Sequence, residues 1–214
     1  MTYSVKEMYF TLQGEGAQTG RAAVFLRFSG CNLWSGREQH RESAVCKFCD
    51  TEFVGTDGPG GGKFENAKDL LAAVLNVWPD NAPANRKYIV CTGGEPLLQL
   101  DDAALDAFHS EDFEVGVETN GTISAPRGVD WLCVSPKANA TLVQRTGSEL
   151  KLVYPQAESE AQPEQFSDLD FEHFFLQPCD DENRESNTRA AIEYCLKNPQ
   201  WKLSLQTHKI VGID

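Results

Sequence analysis

The stretch Lys87–Pro96 reads KYIVCTGGEP, an apolar run followed directly by a Gly-Gly-Glu-Pro turn. A short, near-continuous apolar run is typical of a strand that is buried on both faces of a parallel sheet. In parallel α/β folds, the functional groups lie where the strands end at their carboxyl side. This stretch therefore predicts a parallel α/β sheet with a site at its carboxyl edge.

Segments on both sides of this stretch repeat its pattern. Besides Lys87–Cys91, apolar runs predict strands over Ala22–Phe28, Phe113–Glu118, Trp131–Val134, Leu150–Tyr154, Phe174–Leu176 and Lys202–Gln206. Helical spacing predicts helices over Ala67–Trp78, Asp101–Phe108 and Asn187–Leu196, with Asn187 or Thr188 as the cap of the last. These helices are too few for a closed eight-unit barrel, which takes about 250 residues. We expect a single domain over residues 1–214 with an α/β fold, a truncated, partial TIM-like (β/α) barrel with an open side.

Polar, glycine-rich segments between these elements predict loops over Ser35–Ala44, Gly55–Lys63 and Gln156–Pro163. The segment Gly58–Phe64 resembles a phosphate-binding loop, but its glycine spacing is one residue short and Phe64 stands where Ser or Thr is required. We therefore interpret Gly55–Lys63 as a flexible loop.

The composition narrows the class of protein. The chain has 214 residues, 41% of them hydrophobic and 24% charged, which is ordinary for a folded globular protein. Its formal net charge of -13 disfavours binding to nucleic acid through a general basic surface. No apolar run approaches the roughly 20 residues of a membrane span, and the first residues lack the order of a signal peptide. We expect a cytoplasmic protein with neither a nucleic-acid nor a membrane partner.

Three of the seven cysteines, Cys31, Cys46 and Cys49, lie close together in the sequence, with 14 and two residues between them. Thiolates are ligands for zinc and for iron–sulfur clusters. With His40 as a fourth ligand, this loop would hold a structural zinc ion. Without a fourth ligand, three cysteines would leave one iron of a 4Fe–4S cluster open, as a catalytic site requires. Both interpretations are open on spacing alone.

Polar groups and turns also follow the predicted strands, at the edge where parallel strands place a site. They are Cys31, Gly93–Pro96, Glu118–Gly121, Ser135–Lys137, Gln177–Asp180 and Thr207–Lys209.

These segments resemble, in order and spacing, the motifs of 7-carboxy-7-deazaguanine synthases, a radical S-adenosylmethionine family. The matching segments are Leu12–Gly16, Phe28–Trp34, Phe48–Thr51, Thr92–Pro96, Glu118–Gly121, Ser135–Lys137, Gln177–Pro178 and Gln206–Lys209. The general superfamily motif is Cys-x3-Cys-x2-Cys, and the first gap here is expanded, as it is in some of these synthases. The chain ends with Asp214, whereas family members often end with an apolar residue whose carboxylate reaches the substrate.

The resemblance implies a reaction. The substrate would be 6-carboxy-5,6,7,8-tetrahydropterin, and the products 7-carboxy-7-deazaguanine and ammonia, formed by a radical ring contraction in queuosine biosynthesis. The cofactors would be a 4Fe–4S cluster, S-adenosyl-L-methionine and Mg²⁺. The enzyme would be a homodimer whose cluster is reduced by a flavodoxin-like or ferredoxin-like protein.

The resemblance also implies a role for each matched residue. The cluster ligands would be Cys31, Cys46 and Cys49, and the magnesium ligand Thr51. The cofactor S-adenosylmethionine would contact Phe48, Cys49, Asp50, Gly94, Ser135, Pro136, Lys137, Gln177 and Pro178. The substrate would contact Leu12, Gln13, Gly14, Glu15, Arg27, Thr92, Glu118, His208 and Asp214.

Chemistry agrees with several of these roles, although each has a simpler alternative. A guanidinium inside an apolar strand, Arg27, suits a carboxylated substrate, or it forms an internal salt bridge. The Glu118 carboxylate matches the donors of an aminopyrimidine edge. The Thr51 hydroxyl is a hard oxygen donor for magnesium, or it closes a local turn. Alternatively, Lys137 is a solvated loop residue and His208 a surface residue.

Two other functions fit part of the pattern. A glycyl-radical-enzyme activase would share the cluster loop but would act on a protein. A zinc-stapled binding module would use the cysteines without catalysis.

Overall fold

A computed structural model describes residues 2–82 and 86–213 of the chain. Within these ranges nine strands form one sheet, accompanied by four α-helices. The strands are β1 (Tyr3–Leu12), β2 (Ala22–Phe28), β3 (Gly62–Phe64), β4 (Tyr88–Gly93), β5 (Glu114–Thr119), β6 (Trp131–Val134), β7 (Thr146–Tyr154), β8 (Asp170–Pro178) and β9 (Trp201–Leu203). The helices are α1 (Ala67–Val77), α2 (Asp102–His109), α3 (Arg184–Lys197) and α4 (Thr207–Val211).

Most of this sheet is parallel, and its two edges remain apart. The strand order is β3-β1-β2-β4-β5-β6-β7-β8-β9, and every neighbouring pair from β2 to β9 is parallel. By contrast, β1 runs antiparallel to both β2 and β3. The edge strands β3 and β9 lie at opposite ends of this order, so the sheet does not close into a barrel. The predicted open, partial (β/α) barrel is confirmed.

Successive residues of the parallel strands face opposite sides of the sheet. On one side Leu26, Cys91 and Val117 belong to the main hydrophobic core, to which α1, α2 and α3 also contribute side chains. The next residues along these strands line a cavity on the other side: Arg27, Thr92 and Glu118. The alternation of apolar and polar residues therefore separates the core from the site.

The helices α1 and α2 begin at capping side chains. The side chain of Asn66 accepts a hydrogen bond from the backbone N–H of Asp69 (3.1 Å), and that of Asp101 accepts one from Ala104 (3.0 Å). Such caps satisfy N–H groups that have no partner within the helix. The two predicted helices are confirmed to within one residue at each end.

The predicted start of α3 is wrong. The helix begins at Arg184, so Asn187 lies inside its first turn rather than at the cap. The buried amide of Asn187 donates to the carbonyl of Cys179 (3.0 Å) and to the carboxylate of Asp181 (2.9 Å). This side chain therefore fixes the helix to the loop that follows β8. The hydroxyl of Thr188 bonds back to the carbonyl of Arg184 (2.8 Å) and is no cap either.

Three elements have no counterpart among the predicted ones: β1, β3 and α4. The interpretation of Gly55–Lys63 as a flexible loop is wrong, because its last residues form β3 against β1. The preceding turn also bonds to β1, with Gly58 donating to the carbonyl of Lys6 (2.9 Å) and Met8 donating to that of Pro59 (2.8 Å). The glycines therefore let this segment lie flat against an edge that would otherwise be unpaired.

The predicted alternation of strands and helices holds for only part of the chain. The connections between β5 and β8 contain loops and short 3₁₀ turns, and these described segments hold no α-helix. Several strand ends also differ: β7 begins at Thr146, β8 extends over Asp170–Pro178, and β9 ends at Leu203. None of the helices within residues 2–82 and 86–213 has the length and apolar character needed to cross a membrane.

Candidate active site

A cavity of about 470 Å³ lies at the carboxyl ends of the parallel strands β2 and β4 to β8. Nearly all of the predicted site residues line it, although they come from segments throughout the sequence. Among the predicted residues, Cys31 and Pro136 do not line it directly, and Asp214 lies outside the described residues. A second hollow of about 720 Å³, lined by residues such as Phe10 and Trp78, contains none of them.

The loop that carries the three cysteines closes on itself. The carbonyl of Leu33 accepts hydrogen bonds from the backbone N–H groups of Val45 (3.1 Å) and Cys46 (3.4 Å). These bonds bring the two ends of the 14-residue gap together beside Cys31. All three thiols are free, Cys46 is buried, and Cys31 and Cys49 are half-buried. Burial raises the pKa values of Cys31 and Cys46.

A side chain within the expanded gap supports the last two cysteines. The guanidinium of Arg41 donates to the carbonyls of Lys47 (2.7 Å) and Cys49 (3.1 Å) and pairs with Glu38 (2.8 Å). It also lies 4.2 Å above the ring of Trp34. Through Arg41, the insertion (the residues between Cys31 and Cys46) therefore stabilises the turn Cys46–Cys49.

The geometry does not favour the zinc alternative. Both ring nitrogens of His40 have partners within the insertion, Ser35 at 2.8 Å and Gln39 at 3.3 Å. Across the ranges that the structure describes, no three His, Cys, Asp or Glu side chains converge as ligands of one metal ion. Three free thiols on one loop suit an iron–sulfur cluster with one open iron.

The end of β4 is held against the cysteine loop and against β5. A Cβ atom on Gly94 would lie 2.6 Å from the carbonyl carbon of Gly30 and 2.8 Å from Cβ of Cys31, so only glycine fits. The next residue, Glu95, is fully buried, and its carboxylate accepts hydrogen bonds from Thr119 (2.7 Å) and from the backbone N–H of Asn120 (2.8 Å). Burial raises the pKa of Glu95 against the opposing effect of these bonds. This carboxylate thus joins two strand ends at the site.

On the other side of the cavity, Lys151 lies between two carboxylates. Its ammonium group forms ion pairs with Glu15 and, at 3.3 Å, with Glu118. Burial alone would raise the pKa of Glu15, but the charge and hydrogen bond of Lys151 lower it to about 2. Burial alone would likewise lower the pKa of Lys151, yet its charged surroundings, which include Glu118 and Glu15, raise it well above its ordinary value. The ammonium group of Lys151 is therefore in direct contact with two carboxylates.

Arg27 forms the internal salt bridge that was its simpler alternative. Its guanidinium donates to Glu7 (2.8 Å) and to the hydroxyl of Tyr9 (3.1 Å). The same guanidinium still lines the cavity. These contacts orient it toward the space where a ligand would lie.

The segment near the C-terminus packs against the N-terminal loop. The backbone N–H of Thr207 donates to the carbonyl of Gly14 (2.9 Å), and a Cβ atom on Gly14 would lie 2.9 Å from the backbone nitrogen of His208. His208 is half-buried and lines the cavity, so its interpretation as a surface residue is wrong. The ammonium group of Lys209 bridges Asp50 and Asp180, at 2.6 Å from each. The helix α4 therefore forms part of the wall of the cavity.

Lys137 is likewise not a solvated residue. Its ammonium group donates to the carbonyl and hydroxyl oxygens of Ser135, at 2.6 Å each, and lies 5.9 Å from the ring centre of Phe48. The hydroxyl of Thr51 belongs to a half-buried residue of the same wall. The two residues place a cation and a neutral oxygen donor along the cysteine side of the cavity.

Sequence reasoning assigned no role to several residues that line this cavity: Tyr9, Cys133, Lys151, Gln206 and Lys209. A signal for Lys151 is present, because it is a lone cation within a predicted apolar strand. The same signal identified Arg27. The contact of Lys209 depends on the position of α4, which no local pattern specifies.

Known proteins of similar sequence cover the whole chain. It is 64% identical over 213 residues to the 7-carboxy-7-deazaguanine synthase of Caulobacter vibrioides and 61% identical to that of Bordetella pertussis, with 100% of both chains covered in each case. The synthase of Bacteroides thetaiotaomicron is 37% identical over the same coverage. No protein-family model matches the chain.

A solved structure agrees with these sequences. The crystal structure of QueE from Escherichia coli superposes with a TM-score of 0.72, covers 97% of this chain and 95% of its own, and is 27% identical in sequence. Full-length similarity of this kind, together with the cysteine loop and the cavity, shows that the chain belongs to the 7-carboxy-7-deazaguanine synthase family.

Proposed function

We propose that the cavity at the carboxyl edge of the sheet is where this chain performs the family's reaction, within one radical S-adenosylmethionine domain over residues 1–214. That reaction converts 6-carboxy-5,6,7,8-tetrahydropterin to 7-carboxy-7-deazaguanine with release of ammonia, as a step of queuosine biosynthesis. The observation that carries the proposal is the meeting of the cysteine loop with a layer of buried polar side chains around one cavity.

The cysteine side of the cavity would hold the redox cofactor. Cys31, Cys46 and Cys49 would bind three irons of a 4Fe–4S cluster and leave the fourth open. When bound, the cluster and S-adenosylmethionine supply a radical that removes a hydrogen atom from the substrate. The contribution of the chain is to position the two reactants and to keep water away.

S-adenosylmethionine would contact residues that, apart from Pro136, line the cavity: Phe48, Cys49, Asp50, Gly94, Ser135, Pro136, Lys137, Gln177 and Pro178. The closeness of Gly94 to Gly30 supports this role, because the backbone of β4 can then approach a ligand without obstruction by a side chain. Lys137, fixed by Ser135, would contribute positive charge toward the carboxylate of the methionine part.

The opposite side would bind the pterin. Leu12–Gly14, Thr92 and His208 line this part of the cavity, and Glu118 faces it with a carboxylate suited to an aminopyrimidine. Arg27 would bind the carboxylate of the substrate through a paired hydrogen bond, since Glu7 and Tyr9 already fix its orientation. Glu15 would act close to the ring, and Asp214 would contribute from the C-terminus.

Magnesium, a reductant and a partner copy complete the proposal. Thr51 offers a hard oxygen donor in the wall of the cavity, which suits a magnesium ion that also binds substrate oxygens. A cytoplasmic location is supported by the seven free thiols, which are typical of a reducing compartment. The flavodoxin-like or ferredoxin-like reductant and the homodimer rest on the family resemblance alone.

The alternative of a glycyl-radical-enzyme activase is not favoured. The full-length relatives are synthases, and the cavity holds the buried Lys151 and the half-buried charges Arg27 and Glu118, which a protein substrate would not require. An anaerobic assay tests the proposal with reconstituted enzyme, 6-carboxytetrahydropterin, S-adenosylmethionine, magnesium and a reductant. We expect 7-carboxy-7-deazaguanine by mass spectrometry, and its absence from protein with a complete cluster would contradict the proposal.

The brace formed by Arg41 gives a first prediction. Replacing it in Arg41→Ala removes hydrogen bonds to two carbonyls of the cluster loop, and we expect a loss of about 1 kcal/mol in the stability of that loop. The measurement is the rate at which a chelator removes iron from the reconstituted enzyme, which should rise. The control is Arg189→Ala, which removes an exposed ion pair on α3 outside the cavity lining and should leave the rate unchanged.

The Glu15–Lys151 pair gives a prediction for stability as a function of pH. The pKa of Glu15 is lowered from 4.5 to about 2 in the folded state, so its charge stabilises the fold above pH 4.5, and this contribution is lost as the pH falls toward 2. We expect Glu15→Gln to lower the free energy of unfolding by about 2 kcal/mol near neutral pH. In denaturant titrations of the apoprotein, this deficit should remain constant down to about pH 4.5 and shrink below it. A deficit that grows on acidification would contradict the assigned shift.

A further inference from the structure

Lys151 is a buried lysine that the proposed reaction leaves without a role. Only 6% of its side chain is exposed, and the carboxylates that it contacts are also largely covered, with 14% exposed for Glu15 and 24% for Glu118. A buried ammonium group is costly unless it is paired, so Lys151 requires the negative charge of its carboxylate partners. The ammonium group also lines the same cavity as Thr92 and Arg27.

The two oxygens of Glu118 have different surroundings. Oε1 accepts hydrogen bonds from Lys151 (3.3 Å) and from the amide of Gln13 (3.0 Å). Oε2 has the hydroxyl of Thr92 at 3.5 Å, the outer limit of a hydrogen bond. One oxygen is thus anchored by the chain, and the other is available to a ligand in the cavity.

Glu15 is arranged differently. Its Oε2 pairs with Lys151, and its Oε1 accepts from the amide of Gln206 at 3.2 Å. Both oxygens of Glu15 are therefore engaged by the chain. Glu118 is therefore the carboxylate that leaves one oxygen open to the cavity, and both oxygens of Glu15 serve to hold neighbouring side chains.

We propose that Lys151 is a positioning residue that determines specificity: it holds Oε1 of Glu118 so that Oε2 faces the cavity and accepts a hydrogen bond from the exocyclic amino group of a 2-aminopyrimidine ring. The inference rests on the proposed function, because it assumes that the pterin occupies this cavity. A ring with oxygen in place of that amino group presents an acceptor to the carboxylate and is rejected.

Removing the cation removes one of the two hydrogen bonds that hold Oε1 of Glu118 and leaves only the one from Gln13. The carboxylate can then turn Oε2 away from the ring. An acceptor without a fixed position no longer distinguishes an amino group from an oxo group. A purely structural role for Lys151 predicts a uniform loss of affinity for both rings instead.

The test compares two ligands that differ at this one position, 6-carboxypterin and 6-carboxylumazine. Their dissociation constants are measured by anaerobic calorimetry on the reconstituted enzyme with S-adenosylmethionine and magnesium, without reductant. We expect the wild-type enzyme to prefer the pterin by about 10- to 100-fold, the range of a hydrogen bond to a charged group. In Lys151→Met the preference should fall to about threefold or less, mainly through weaker pterin binding. Lys87→Met removes a half-buried lysine just before β4, at the amino ends of the strands, and should keep the preference.

A second pair of variants covers the case in which Lys151→Met fails to fold. Lys151→Arg keeps a cation beside Glu118 and should retain the preference. The double variant Glu15→Gln with Lys151→Met removes the ion pair without a change in net charge and leaves Oε1 of Glu118 without a cation, so it should lose the preference. Equal losses of affinity for both ligands in Lys151→Met or in the double variant would overturn the inference. A wild-type enzyme that binds neither ligand would overturn the proposed substrate site itself. A wild-type enzyme that binds both ligands equally would leave the site in place and overturn the inference that Glu118 recognises the amino group.

Discussion

Replacing one of the three proposed cluster ligands in Cys49→Ser is expected to abolish formation of 7-carboxy-7-deazaguanine and to prevent assembly of a stable cluster. A serine hydroxyl remains protonated and is a poor ligand for iron compared with a thiolate, so only two of the three thiols would remain. His40 of the same loop is not a ready substitute, since both of its ring nitrogens are engaged. The measurement is iron and sulfide content after anaerobic reconstitution, followed by mass spectrometry of the reaction mixture.

The matched control for this variant is Cys195→Ser. Cys195 is a half-buried free thiol on α3, outside the residues that line the cavity. It should keep both its iron content and its product. Because Cys49 is half-buried, the Cys49→Ser apoprotein should keep the circular dichroism spectrum of the folded chain. A Cys49→Ser enzyme that holds a full cluster and forms product would remove Cys49 from the ligand set.

Much of this arrangement could be predicted from sequence because the strands are nearly continuous apolar runs. Such runs specify burial on both faces and hence a parallel sheet, and the polar residues at their carboxyl ends then fall at one edge. The segment Lys87–Pro96 illustrates this: its apolar part forms β4, and its Gly-Gly-Glu-Pro turn reaches the cavity. The position of the site therefore follows from local pattern and chain direction alone.

What could not be predicted depends on contacts between distant segments. The strand β3 has only three residues, and it forms because β1 offers an unpaired edge. The five-residue helix α4 is too short to be stable by itself, and it is held by contacts such as the bond from Thr207 to Gly14. Neither element has a periodic signal, because packing rather than propensity determines it.

The same distinction applies to charged side chains. The lone cations within apolar strands, Arg27 and Lys151, indicate that each has a negatively charged partner, because a buried charge without one is unstable. Sequence does not say which partner. Arg27 pairs with Glu7 on the neighbouring strand β1, whereas Lys151 pairs with residues that lie 136 and 33 positions away. The composition of a strand thus indicates a polar site, and only the fold assigns its contacts.

Gly94→Ala is expected to have the second large effect, on both stability and the cofactor. The added methyl group would lie 2.6 Å from the carbonyl carbon of Gly30 and closer still to its oxygen. These are backbone atoms, so no side chain can rotate away, and β4 must move from the cysteine loop. Overpacking of this kind costs about 1–3 kcal/mol. Because Gly30 precedes Cys31, we also expect weaker binding of S-adenosylmethionine and lower iron content after reconstitution.

Gly62→Ala separates this steric effect from the general cost of replacing a glycine. Both glycines lie outside the left-handed region, but a Cβ atom on Gly62 would be 3.6 Å from its nearest neighbour, the ring of Phe64, which is an ordinary contact. The midpoint of denaturant unfolding should therefore fall for Gly94→Ala and remain near wild type for Gly62→Ala.

If the two variants unfold at the same midpoint and bind S-adenosylmethionine equally well, β4 is not held against the cysteine loop as the distances indicate. If Gly94→Ala is less stable but binds the cofactor normally, the close approach serves folding alone, and the role of Gly94 at the cofactor is lost. A decrease in both the unfolding midpoint and the binding of S-adenosylmethionine would show that the cofactor site depends on the absence of a side chain at Gly94.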